Sequence, residues 1–172
     1  APAPQTHFRD HLNEGIREIY TSNQNTRTVV VPFGADGDLY VTGNKPSESY
    51  LRSITFNIVG LAGTYSAYSA DRQFQELLRI AHPSAYNGLR DSLNRLLDEL
   101  GNNPTLSIAT YIRGDQPVTW TGSEILVPVE KVRVIGGVIR KFRGNLRIRY
   151  ALENGRFWLT ALQEENFSAD VR

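Results

Sequence analysis

Glu153 and Arg156 stand three residues apart in the run Glu-Asn-Gly-Arg-Phe, and Trp158 follows two residues later. A carboxylate and a guanidinium at this spacing can stabilise charge at a reacting centre. They can equally form a surface ion pair worth about 0–1 kcal/mol. Glu130 and Arg133 repeat the spacing, so it does not by itself choose between the two pairs. His7 and His11, four residues apart, can share a helix face, but two ligands do not close a zinc site and a solvated face accounts for them. The chain has 0 cysteines, which excludes disulfides, thiolate metal sites and cysteine nucleophiles. It carries no phosphate loop ending in Gly-Lys-Ser/Thr, no dinucleotide glycine fingerprint, no His-Glu-x-x-His and no nucleophile elbow. Triad hydrolases and zinc enzymes are set aside on that ground.

The net charge of +1 conceals an asymmetry. Lys131, Arg133, Arg140, Lys141, Arg143, Arg147 and Arg149 fall in one stretch that contains no acid. A local excess of this kind attracts polyanions, RNA phosphates above all. The competing reading is a solvated sheet edge, where Lys and Arg discourage edge-to-edge pairing.

These residues need a frame to hold them. A chain of 172 residues with 40% hydrophobic and 22% charged residues has the size and composition of one globular domain with its own core. No apolar run approaches the roughly 18 residues of a membrane span. The start Ala1-Pro2-Ala3-Pro4 resembles a mature terminus left by small-residue signal cleavage, which predicts an exported protein; trimming would leave the same mark.

Residues 1–6 read as a flexible tail. Phe8, Leu12, Ile16, Ile19 and Tyr20 recur at helical spacing, predicting a first helix over about 7–21. Thr28–Phe33 and Leu39–Thr42 around Gly-Ala-Asp-Gly read as a hairpin, and Leu51–Val59 as a further strand. Phe74, Leu77, Leu78 and Ala81 share one helical face, with Ser69 or Asp71 as cap and Pro83 as the stop. Leu89, Leu93, Leu96, Leu97 and Leu100 form a second stripe, closed by Gly-Asn-Asn-Pro. The period then drops to two, giving strands at Leu106–Ile112, Val118–Val129, Val132–Ile139, Leu146–Leu152 and Phe157–Leu162, with Asn154-Gly155 as a hairpin turn between the last two. The expected fold is one α+β domain over 1–172: N-terminal helix and hairpin, central helix pair, then mainly antiparallel strands.

Several segments resemble the ribosome-inactivating protein family of the ricin and Shiga A-chain type. Phe8-Arg9-Asp10-His11-Leu12 resembles its opening helix. Asp38-Leu39-Tyr40-Val41-Thr42-Gly43 resembles the strand bearing its first adenine-stacking tyrosine, and Ser49-Tyr50-Leu51 the short strand after it. Phe74–Ala81 and Arg90–Leu97 resemble the helices before and within its active-site region. Glu153-Asn154-Gly155-Arg156-Phe157 is similar to its Glu-Ala-x-Arg-Phe signature.

The resemblance implies an rRNA N-glycosidase, a toxin or defence hydrolase that removes an adenine from ribosomal RNA. Glu153 would stabilise an oxocarbenium-like sugar and orient water, Arg156 would act toward the departing adenine, and Tyr40 would stack on the flipped base. Glu130 and Arg133 are the alternative pair. Trp158 would take the place of the family's downstream tryptophan, and Arg140, Lys141, Arg143, Arg147 and Arg149 would hold the rRNA backbone. The chemistry needs no metal and no cofactor. Two other readings stand beside it. Helices followed by a meander of long strands also resemble the nuclear-transport-factor-like cone fold, which would make the chain a non-enzymatic exported binding or assembly module. The basic stretch without catalytic motifs also suits an RNA-packaging, coat-like protein. Neither names a delivery or assembly partner.

Overall fold

The computed structural model describes residues 45–169, and before them the strand backbone at 27–28 and 40–42. There β1 (Arg27–Thr28) pairs antiparallel with β2 (Tyr40–Thr42), Thr28 opposite Tyr40, and β2 pairs with β3 (Lys45–Pro46). The expected hairpin therefore has its pairing, while the helix predicted over 7–21, the tail and the Gly-Ala-Asp-Gly turn lie outside the described residues.

The first described helix, α1 (Glu48–Gly63), replaces the strand expected at Leu51–Val59. Ile54, Thr55, Ile58 and Val59 suggest β structure by residue type. What decides for helix is the Ser47 cap, whose side chain accepts the Tyr50 N–H at 3.1 Å, and the 3.6 period of Leu51, Thr55, Ile58 and Val59, all buried on one face. Thr55 satisfies its buried hydroxyl by donating to the Leu51 carbonyl at 2.6 Å.

The two Leu- and Phe-bearing helices stand where the pattern places them. In α2 (Ala70–Leu78), Phe74 and Leu77 are buried, and the helix ends before Pro83. Ser69 occupies the cap position, but its hydroxyl accepts the Ser66 N–H instead of capping the helix. In α3 (Tyr86–Asn102), Leu93 and Leu100 are buried and Asn103 forms the C-cap.

The helices cover one face of an antiparallel sheet ordered β4-β5-β7-β8-β9, with β6 also on β7. Its members are β4 (Tyr65–Ser66), β5 (Ser107–Ile112), β6 (Thr119–Trp120), β7 (Glu124–Ile135), β8 (Val138–Glu153) and β9 (Arg156–Ala169). Two expected boundaries move. The run Val118–Val129 is divided between β6 and β7, and Val132–Ile139 is cut by a turn at Gly136-Gly137, both with positive φ. That turn joins two long strands, in register from Ile135↔Val138 to Glu124↔Arg149. The Asn154-Gly155 turn falls where expected, again with positive φ at both residues, the geometry that matches the twist of a two-residue hairpin. The core lies between helices and sheet, where Ile58, Phe74, Leu77, Ile125, Val127, Ile148 and Leu159 are almost wholly buried. The fold is α+β, and no helix among the described residues is long and apolar enough to cross a membrane.

Candidate functional site

Side chains alternate across a strand, so β7 presents Ile125, Val127, Val129, Lys131 and Arg133 to the helices. The first three are core; the last two turn the same face cationic toward the Gly136-Gly137 end. There α3 stands off the sheet and a groove of about 540 Å³ opens between them. Leu89, Leu93 and Leu96 of α3 and Phe142, Leu146 and Leu162 of the sheet supply apolar walls.

The charges in this groove answer one another. Arg133 donates to Glu99 of α3 at 2.5 Å, and Lys131 pairs with Glu164 of β9. The Lys131 ammonium also lies 5.0 Å from the centre of the Phe167 ring, within range of a cation–π attraction. Tyr65, packed edge-on against Phe74 with ring centres 5.1 Å apart, has its hydroxyl pKa pushed up to about 12, by burial first and then by Glu164 and Glu99. The Arg133 Nε is buried without a partner. Such a cleft can hold an apolar segment with polar ends. Among the described residues no group of three His, Cys, Asp or Glu side chains is placed to hold a metal.

The residues singled out from sequence are distributed elsewhere. Glu153 and Arg156 face each other across the Asn154-Gly155 hairpin, on strands and not on a helix. Glu153 turns to His82, 3.3 Å from Nε2. On its other side the ring is held by Ser84, whose N–H lies 3.2 Å and whose hydroxyl 2.7 Å from His82 Nδ1. The Arg156 guanidinium stacks 3.8 Å above Trp158 and reaches the Arg79 carbonyl at 3.4 Å. Among the described residues no ion pair joins Glu153 to Arg156. Tyr40 lies in β2, and its side chain is outside the described part. Glu130 and Arg133, three apart on a strand, point to opposite faces: Glu130 accepts from Arg143 at 3.1 Å, Arg133 goes to Glu99.

The basic stretch is largely neutralised by acids from other strands. Arg147 binds Glu165 and Glu124, and Arg149 binds Glu124 at 2.7 Å. With the pairs already given, this leaves Arg140 and Lys141, both exposed, as the cations of the stretch with no ion pair among the described residues. A polyanion track along 131–149 is therefore not what this sequence builds. The groove was missed because its acids, Glu99 and Glu164, are remote from Lys131 and Arg133 in the chain. One signal was present: Glu99 interrupts the α3 stripe beside Leu96 and Leu100, on the side that meets the sheet.

Known structures share this architecture. VirB8 of Agrobacterium tumefaciens superposes with a TM-score of 0.57 at 12% identity, over 73% of this chain and 94% of that one. The soluble domain of TrwG, from the type IV secretion machinery of Bartonella grahamii, gives 0.59 at 10% identity, over 75% and 99%. CagV of Helicobacter pylori, described as a VirB8 homolog of a type IV secretion system, gives 0.51 at 14%, over 70% and 100%. At these identities the likeness is one of fold. No curated protein sequence matches the chain. A family model described as TraE protein matches residues 16–164. These findings overturn the resemblance to ribosome-inactivating proteins, and with it the N-glycosidase, hydrolase and toxin reading and ribosomal RNA as the partner. The matching segments were short, and the last of them, Glu153–Phe157, forms a hairpin where that family's signature needs a helix. The match to the TraE model runs through nearly the whole described fold, and the chain belongs to the TraE protein family.

Proposed function

We propose that the chain is a non-enzymatic assembly component of a type IV secretion machine, exported to the cell envelope and acting as one domain. The observation that carries this reading is the groove beneath α3. Its charges, Glu99 with Arg133 and Lys131 with Glu164, neutralise each other above an apolar floor, which suits docking of a polypeptide segment better than chemistry on a substrate. What supports the envelope location is that two of the structural relatives are named as type IV secretion proteins, one of them as a soluble domain of such machinery.

The test is genetic and physical. In a host whose secretion apparatus uses this chain, its deletion should abolish transfer of the secreted cargo, and the wild-type chain should restore it. Leu96→Arg, which places a charge among the apolar walls, should restore transfer poorly at normal protein level. A photo-crosslinker at position 96 should capture another component of the apparatus. Full transfer without the chain would overturn the assembly role; full transfer with Leu96→Arg would move the docking surface away from the groove.

A further inference from the structure

The turn joining β7 to β8 is unlike the two-residue turn joining β8 to β9. Asn154-Gly155 is flanked by Glu153 and Arg156, and that end is tied to His82 and Arg79. Gly136-Gly137 is flanked by Ile135 and Val138, then by Val134 and Ile139. Its tie is on the β7 side, where the Gly136 N–H donates to the Thr105 hydroxyl at 3.1 Å and Val134 pairs with Ser107 of β5, which leaves Val138 and Ile139 of β8 outward. Val138 is 59% exposed and Ile139 63%.

The register shows what kind of surface this is. Ile135 and Val138 are opposite each other and share one face of the ribbon; Val134 and Ile139 share the other. A hairpin docking onto a protein needs one apolar face, whereas this tip is aliphatic on both. The next pairs inward are Arg133↔Arg140 and Val132↔Lys141, which put cations on both faces too. Arg133 is held by Glu99, but Arg140 and Lys141 are exposed with no carboxylate in ion-pair range among the described residues. Like charges directly opposite destabilise an antiparallel pair, and Arg133↔Arg140 is such a pair, only half offset by Glu99. Two residue pairs at about 3.4 Å per residue make an apolar cap about 7 Å deep, within the roughly 5–10 Å to which interfacial elements enter a bilayer.

We infer that the Ile135–Ile139 tip is a membrane-surface probe, inserting Ile135, Val138 and Ile139 among acyl chains while Arg140 and Lys141 meet anionic lipid headgroups. A two-sided apolar apex with a cationic collar matches a medium that is apolar on every side and negative at its rim. A partner groove would cover both faces only if it enclosed the tip, and would then have to carry its own acids at Arg140 and Lys141.

Flotation of the intact chain with vesicles decides the matter. The chain should float with mixed phosphatidylcholine–phosphatidylglycerol vesicles, less at raised salt, and not with pure phosphatidylcholine. Arg140→Ala with Lys141→Ala should weaken binding about thirtyfold, at the usual contribution of a surface cation near anionic lipid. Val138→Ser with Ile139→Ser should weaken it about a hundredfold. Arg72→Ala with Arg90→Ala, exposed cations on α2 and α3, should leave it unchanged. The tip residues are exposed, so thermal melts should stay at the wild-type midpoint; if the serine variant fails to fold, the alanine variant carries the test. The inference is overturned by absence of flotation, by equal flotation on neutral vesicles, or by tip substitutions without effect. Tip-dependent self-association without vesicle binding would overturn it in favour of a contact between copies of the chain.

Discussion

Arg147 holds Glu165 with two parallel hydrogen bonds, Nε to Oε1 at 2.7 Å and Nη2 to Oε2 at 3.0 Å, across the β8–β9 pair. Its remaining nitrogen, Nη1, donates to Glu124 at 2.6 Å, so one guanidinium bridges three strands. Hydrogen bonds from Arg149 and then Arg147 hold the Glu124 carboxyl below its ordinary value of 4.5, and Arg147 does the same for Glu165. A carboxyl with a depressed folded pKa stabilises the fold above its unfolded value. That contribution is lost as pH falls below about 4.5 and through the folded values. The denaturation midpoint of the wild-type chain should therefore drop through this window. Arg147→Ala should lower the midpoint at neutral pH and flatten the acid-side slope; an unchanged slope would mean that the bridge contributes nothing to acid sensitivity.

Tyr65 contributes on the alkaline side. Its folded pKa is raised from 10.0 to about 12, so between these values the unfolded chain ionises first and stability falls as pH rises. Tyr65→Phe keeps the ring against Phe74 and removes the ionisation. Its melting temperature should fall less steeply through that window than the wild-type value, the remaining slope coming from Tyr50 and Tyr150, whose hydroxyls burial also holds above their ordinary value.

Gly63 closes α1 against β5 without a side chain. A Cβ there would lie 2.7 Å from the Thr110 Cβ, while Thr110 donates its hydroxyl to the Gly63 carbonyl at 2.7 Å and its N–H to the Thr64 hydroxyl at 3.1 Å. Gly63→Ala forces helix and strand apart and should cost about 1–3 kcal/mol, the range for overpacked interiors. A urea titration measures it, and an undiminished midpoint would show that the helix end slides freely.

At the Asn154-Gly155 turn, φ is +52° and +72°. Asn tolerates this region and Gly prefers it, whereas a β-branched residue does not. Gly155→Val should cost about 1–2 kcal/mol and accelerate amide exchange at Glu153 and Arg156 first, because they flank the strained turn.

How much of this was legible beforehand depends on the range of the interaction. The Leu93–Leu100 stripe and the Asn154-Gly155 turn are written within a few residues, and both stand where the pattern places them. The Leu51–Val59 segment was misread because its β-branched residues spoke for a strand, while the deciding terms were the Ser47 cap and burial of one helical face. The Gly136-Gly137 turn was overlooked inside an aliphatic run that continues on either side of it. The ion pairs lay beyond reach, since Lys131 finds Glu164 and Arg147 finds Glu124 only after β7, β8 and β9 are aligned. The Glu-x-x-Arg spacing misled for the same reason. On a helix it converges; on strands Glu130 and Arg133 diverge, and around a turn Glu153 and Arg156 find separate partners.

Where the link between α2 and α3 passes β9, Ala81 and Leu159 form a parallel bridge. The Leu159 N–H donates to the Ile80 carbonyl at 2.7 Å, and the Leu159 carbonyl accepts the His82 N–H at 2.8 Å. Both main-chain groups of Leu159 are spent within the molecule. β9 is the outer strand of the sheet, and an unguarded outer strand templates fibrils. At this point a foreign strand would have to strip residues 80–82 away before it could add, so strand-on-strand stacking of one copy of the chain on another is blocked there.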